Sequence, residues 1–138
     1  MPLHSAFLRL RTRGHGQILD LTEGVAGVVD AAGAGQAVAT VFARGSTLAV
    51  TTMEYEPGGV EDLETLLDRL VPATGDYAHN RLNHDTNAYA HLRAALIGPS
   101  ESIPVVDGRL ALGTWQQVVL LDFDDRERER TVHVHVAW

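Results

Sequence analysis

No cysteine occurs anywhere in the 138 residues. That removes disulfides, a thiolate nucleophile and every thiolate metal site, and leaves histidine, carboxylate, amide and water as the available ligands. Also missing is any apolar run that approaches the length of a membrane span. No N-terminal segment has the charged start, apolar centre and small-residue cleavage site of a secretory signal. The expectation is a soluble, cytoplasmic protein with no membrane partner. Positive charge is scarce: 18 acidic residues stand against 11 basic ones, a formal net charge of −7. A nucleic-acid binder needs a basic surface to displace phosphate counterions, so no nucleic-acid partner is expected.

Several motifs are absent as well. There is no P-loop, and Gly24, Gly27, Gly33 and Gly35 lack the strand-then-helix setting of a dinucleotide fingerprint. No elbow pattern surrounds Ser100, which argues against a serine hydrolase. No HExxH signature occurs, and there is no internal repeat, linker or low-complexity tract. The length fits one domain spanning residues 1–138, long enough to bury a core without staples.

What is present reads as strands outnumbering helices. Residues 6–12 alternate, with Leu8 and Leu10 opposed to Arg9 and Arg11, and Gly14-His15-Gly16 turns that strand. Thr22 and Glu23 open a helix with Val25, Val28 and Val29 on its apolar side, closing at Gly33 or Gly35. Residues 37–43 and 47–52 read as strands joined hairpin-fashion through Gly45 and Ser46. Pro57 opens a helix carrying Val60, Leu63, Leu66, Leu67, Leu70 and Val71 at helical spacing, and Pro72 ends it. Residues 73–86 show no periodicity and read as a long loop; Asn87 is a candidate cap for a helix over 88–97, stopped by Gly98-Pro99. The remainder is β: 102–106, an Asp107-Gly108 turn, 109–112, 117–123 and 131–136. Turn-connected neighbours favour antiparallel pairing, which gives an α+β class: an antiparallel β-sandwich or twisted sheet with helices packed at one side.

Chemistry concentrates between Tyr77 and Gln116. His79, Asn80, His84, Asp85, Asn87 and His91 crowd into one polar segment, and their side chains are donors for a divalent metal or for acid/base work. A loop folding over a helix start would bring His79, Asp85 and His91 into one coordination sphere suited to zinc or a similar ion, with Asn80 and Asn87 orienting the ligands. The alternative is that His79 and His84 are solvated loop caps and His91 bonds a backbone carbonyl. His133 and His135 share the outward face of the last strand, opposite Val132, Val134 and Val136. Trp115 either covers a pocket or fills core, and Gln116, an amide at the head of an apolar strand, needs a partner. Arg9, Arg11 and Arg13, and again Arg126, Arg128 and Arg130, repeat at a spacing of two. That pattern reads as a solvated sheet face with Glu127 and Glu129 opposite, or as contacts to a small anion.

The segments His79-Asn80, His84-Asp85-Thr86-Asn87-Ala88-Tyr89-Ala90-His91-Leu92-Arg93-Ala94-Ala95-Leu96-Ile97-Gly98-Pro99-Ser100, Ile103-Pro104-Val105, Asp107-Gly108-Arg109-Leu110 and Leu112-Gly113-Thr114-Trp115-Gln116 resemble the YjbQ-like family. The likeness runs back less sharply through Val41-Phe42 and Thr51-Thr52 to the first strand. It implies a sandwich of antiparallel strands assembled as a homotrimer, and a secondary thiamine-phosphate synthase activity. That activity joins a pyrimidine diphosphate to a thiazole phosphate and releases pyrophosphate. It further implies a metal or phosphate site at a subunit edge. His79, Asp85 and His91 would hold a divalent ion, zinc or magnesium, and His79, Asn80, Asp85, His91 and Gln116 would serve catalysis. Arg44, Asn87, Arg109 and Trp115 would contact a small phosphorylated metabolite. Three positions depart from the family pattern. Arg44-Gly45-Ser46 stands where relatives open a strand with His-Thr-Thr or His-Thr-Ser, and Thr52-Met53 replaces an Asn-Glu pair unless a one-residue slip restores Glu54. Tyr89 replaces a histidine two residues before His91. With those histidines gone, Arg44 would place a fixed positive charge where an ion would sit, leaving a trimeric anion- or metal-binding protein without turnover as the alternative, or a metal-dependent hydrolase.

Overall fold

A computed structural model describes residues 1–138. The first half of the chain runs β1 (Leu3–Thr12), β2 (Gln17–Asp20), α1 (Thr22–Ala32), β3 (Gln36–Ala43), β4 (Leu48–Met53) and α2 (Pro57–Leu70). The second half runs α3 (Ala78–Asn83), α4 (Ala88–Ile97), β5 (Ser100–Val106), β6 (Arg109–Leu110), β7 (Gln117–Asp122) and β8 (Arg128–Ala137). No helix is long and apolar enough to cross a membrane.

All strand pairs are antiparallel, in a five-stranded sheet ordered β1-β8-β3-β5-β6 and a three-stranded sheet ordered β2-β7-β4. The class is therefore α+β. Alternation sorts each strand of the larger sheet: Val132, Val134 and Val136 of β8 and Ala39, Val41 and Ala43 of β3 point inward and are buried. They meet Val25, Val28 and Val29 of α1 and one face of the smaller sheet, Leu48, Val50, Val118 and Leu120, in a single core. The opposite face of the smaller sheet, through Ala49, Val119 and Leu121, packs on Leu67 of α2 and on Tyr89, Ala90 and Ala94 of α4. That explains the apolar run Val118–Leu121 of β7, where both faces of the strand are covered. Each such fully buried aliphatic side chain contributes about 1.5–3 kcal/mol.

Local chemistry sets the boundaries. Glu56 caps α2 by accepting from the backbone N–H groups of Gly58 and Gly59, Pro57 occupies its first turn, and Gly33 ends α1 in the left-handed region at φ 69°. Asp107 and Gly108 both have positive φ, 50° and 77°, as a tight hairpin between β5 and β6 requires. At Gly14 (φ +72°) a Cβ would run into the carbonyl oxygens of Asp124 and Arg126, so only glycine lets the β1–β2 turn close on the β7–β8 connection.

Several expectations need correction. The Gly45-Ser46 segment is not a hairpin: β3 and β4 lie in different sheets, and the chain dives between layers with Thr47 and Leu48 buried. Residues 17–20 form β2, paired with β7. Residues 73–86 are not all loop, because α3 occupies Ala78–Asn83. β5 starts at Ser100, two residues early, and β6 is only Arg109–Leu110. β8 starts at Arg128 rather than near Thr131, since its polar first turn is held by pairing with β1. Asn87 occupies the N-cap position of α4 without a capping bond; its side chain is used elsewhere.

Candidate functional site

The α3–α4 corner gathers the polar segment. His84 closes α3 in the left-handed region (φ 53°) and turns the chain back, so that the Asp85 N–H reaches the Asn80 carbonyl at 3.1 Å. The Asn80 side chain then accepts from the Ala88 N–H at 3.0 Å and locks the start of α4. This fold-back places His79 Nε2 3.3 Å from Asn87 Oδ1 and 3.7 Å from Asp85 Oδ2. The His79 and His91 ring centroids lie 4.8 Å apart at 57°. His91 Nδ1 sits 3.3 Å from the Ser46 carbonyl oxygen. His79, Asp85 and His91 thus share one corner, with Asn80 and Asn87 bracing it. They do not close into a ligand set: no group of three histidine or carboxylate side chains is arranged to hold a metal ion. His84 is exposed, and its side chain makes none of the bonds that define the corner.

Beside this corner, between residues 42–48 and α4, lies a groove of about 450 Å³. Phe42, Leu48, Ala94, Ala95 and Pro99 give it apolar walls, and Arg44, Ser46 and His91 supply its polar groups. Arg44 makes no ion pair with any carboxylate of the chain. An unpaired guanidinium is an anion-binding group, and the apolar walls suit a flat organic group.

Arg109, Trp115 and Gln116 lie elsewhere. Gln116 donates to Thr52 Oγ1 at 2.9 Å and accepts from the Gly113 N–H at 3.0 Å, at the far end of β4 from Leu48. Four residues of strand span about 13 Å. Arg109 and Gln116 line a second cavity of about 400 Å³ against Thr22, Ala26, Val29 and Asp30 of α1. Trp115 is 73% exposed, so it neither fills core nor walls the histidine corner within one chain. Tyr89 has no place among the corner ligands either: it packs into the second core with Arg93 stacked 5.2 Å over its ring. Burial, then the charges of Asp125 and Asp124, push its hydroxyl above the ordinary value against the opposing pull of Arg93.

The arginines at a spacing of two divide. Arg11 pairs with Glu127 at 2.6 Å on the surface, as a solvated sheet face would. Arg130 does not belong to such a face, and Arg128, although exposed, pairs with a buried carboxylate. Arg130, its side chain 10% exposed, holds Asp122 at 2.7 Å and Asp124 at 3.1 Å, and Arg128 holds Asp124 at 2.9 Å. Thr12 Oγ1 also donates to Asp122. Burial alone would raise the Asp124 pKa. The Asp125 N–H, the Asn87 side chain, Arg128 and Arg130 outweigh it and hold the carboxyl below the ordinary aspartate value. Sequence reading missed this network; the one signal for it is the cluster Asp122, Asp124 and Asp125 directly after an apolar strand.

A family model described as "UPF0047 protein YjbQ-like" matches residues 6–137. A UPF0047 protein of Methanothermobacter thermautotrophicus is 37% identical over 99% of this chain and 94% of its own. One from Archaeoglobus fulgidus is 38% identical over 91% of this chain and 95% of its own. Among solved structures, a YbjQ-like protein of unknown function from Sulfolobus solfataricus P2 superposes with a TM-score of 0.88 at 28% identity, covering 98% of both chains. A hypothetical protein from Aeropyrum pernix K1 gives 0.87 at 36% identity, over 94% of this chain and 95% of that one.

Proposed function

With the premise that the chain belongs to the YjbQ-like UPF0047 family, we propose that it binds a small phosphorylated metabolite in the groove beside His91, Arg44 taking the phosphate. The observation that carries this reading is the free guanidinium of Arg44 facing the same groove as His91, in a chain whose buried arginines are otherwise committed to carboxylates. The apolar walls then take the flat organic part of the ligand.

The activity that fits such a ligand is the thiamine-phosphate synthase type, in which a pyrimidine group passes from its diphosphate to a thiazole phosphate. The bond from the pyrimidine methylene carbon to the diphosphate oxygen breaks, and a new carbon–nitrogen bond forms to the thiazole nitrogen. Such a transfer needs stabilisation of the departing pyrophosphate and correct positioning more than a nucleophile. Arg44 is the group to supply that charge. Because His79, Asp85 and His91 do not close into a metal set, no step is assigned to zinc or magnesium. The second reading, binding without turnover, rests on the separation of Arg109, Trp115 and Gln116 from the histidine corner. Calorimetric titration with pyrophosphate and an assay of the two thiamine precursors separate the two readings. Binding with product supports the transferase, binding without product supports the non-catalytic role, and absence of binding rejects both.

The reading includes a homotrimer in the cytoplasm. What supports self-association is the outer face of the larger sheet, where no helix packs. There Phe7, His133 and Phe42 stand abreast, as do Leu3, Ala137 and Val38. Phe7 is 55% exposed and Phe42 43%. These rows carry no carboxylate, which limits the repulsion there between copies with a net charge of −7. Light scattering should give the mass of three chains, and Phe7→Glu should reduce it to one; a wild-type monomer would contradict the assembly.

A further inference from the structure

Both corner histidines make their hydrogen bond to a group that can only accept. The Ser46 carbonyl oxygen has no proton to give, so His91 Nδ1 is the donor at 3.3 Å and carries the hydrogen. Asn87 Oδ1 likewise only accepts, and Asp85 Oδ2 lies 3.7 Å from the same ring nitrogen, so His79 Nε2 carries the hydrogen. The Asn87 side chain also helps to hold the Asp124 carboxyl below its ordinary value. The remaining nitrogens, His79 Nδ1 and His91 Nε2, have no protein partner.

The two anchors lead back to one buried side chain. Arg130 donates to Asp124, the carboxylate whose charge the Asn87 side chain helps to stabilise, and to Thr47 Oγ1 at 3.2 Å, the residue directly after Ser46. Its remaining bonds, 2.7 and 3.1 Å to Asp122, clamp it against the end of β7. Arg130 touches neither imidazole. It joins the two segments that do.

We infer that the Arg130 network is a positioning device that fixes the tautomers of His79 and His91, so that the pair offers two bare ring nitrogens as hydrogen-bond acceptors. This deepens the proposed function, on which its ligand consequence rests: the metabolite carries an amino or hydroxyl donor for this corner in addition to the phosphate held by Arg44. The substrate class is a phosphorylated compound with a proton-donating polar group across a flat apolar centre. A neutral imidazole with an outward lone pair accepts such a donor and gives nothing to a phosphate oxygen, which leaves phosphate recognition to Arg44.

The test is made on the full chain without ligand, by long-range proton–nitrogen correlation of the histidine rings at mildly alkaline pH. His79→Gln and His91→Gln assign the signals. The expected result is a single Nε2-protonated form for His79 and a single Nδ1-protonated form for His91, the latter being the minor form of a free side chain. Asn87→Ala should return His79 to the mixture of a free imidazole and leave His91 fixed. Thr47→Val, isosteric and without its hydroxyl, should loosen His91 and leave His79 fixed. Free-imidazole mixtures in the unmodified chain, or a His79 tautomer indifferent to Asn87→Ala, would overturn the inference. Fixed tautomers together with no pyrophosphate binding would leave the device standing and sink the ligand reading alone.

Discussion

Replacing Asp122 with alanine is expected to destabilise the fold by about 3 kcal/mol, the low end of the cost of breaking a buried ion pair, because Arg130 keeps Asp124. Asp122 is fully buried and accepts from Thr12, from Arg130 at 2.7 and 3.1 Å, and from the Asp124 N–H at 3.1 Å. Removing it leaves a guanidinium that is 10% exposed with Asp124 as its one remaining carboxylate, and a backbone N–H without its acceptor. Asp122→Asn keeps the shape and part of the hydrogen bonding, so it should fall between the alanine variant and the unmodified chain. Urea denaturation read by tryptophan fluorescence checks both. The same network gives the stability a definite pH dependence. Asp124 has its folded-state pKa below the unfolded value, so its contribution is complete above the ordinary aspartate value. It is lost as the pH falls from there through the depressed folded value. The loss on acidification should therefore shrink in an Asp124→Asn variant. An Asp122→Ala protein as stable as the unmodified chain would mean that the buried ion pairs contribute nothing.

Arg44→Ala is expected to weaken pyrophosphate binding by roughly 10- to 100-fold. A charge-assisted hydrogen bond to an anion is worth about 1.5–3 kcal/mol, and about 1.4 kcal/mol is one factor of ten. Because Arg44 is exposed and forms no ion pair, the substitution should leave the unfolding midpoint unchanged, which separates lost binding from lost structure. Arg44→Lys should recover part of the affinity, since a point charge replaces a planar fork. Isothermal titration at low and moderate salt measures both variants. Equal affinity in the Arg44→Ala protein would place the phosphate elsewhere.

The parts of this molecule that follow local rules were legible from residues alone. Residues 88–97 are bounded by a polar stop and Gly98-Pro99, and α4 occupies Ala88–Ile97. The outward placement of His133 and His135 followed from simple alternation with buried valines, and His135 is exposed on the open face. The meeting of His79, Asp85 and His91 was legible because a short connection between two helix ends leaves little room for them to diverge. What failed was whatever depends on the second sheet. A two-residue join after an alternating strand reads as a hairpin, yet burying both Thr47 and Leu48 requires the chain to leave one sheet and enter the other. Trp115 and Gln116 were expected beside the histidines, but nothing local reveals that β4 separates them. Arg130 read as a surface residue because the carboxylates that hold it, Asp122 and Asp124, lie at and just beyond the end of a different strand and meet it through the β7–β8 connection. Asn87 read as a helix cap; a tertiary partner, His79, uses its side chain instead.

A crystal structure of the full chain soaked with pyrophosphate bears most directly on the central claim. The account predicts the anion on the Arg44 guanidinium beside His91, in the groove walled by Phe42, Ala95 and Pro99. Pyrophosphate bound instead against Arg109 in the cavity beside α1, or at neither place, would contradict it.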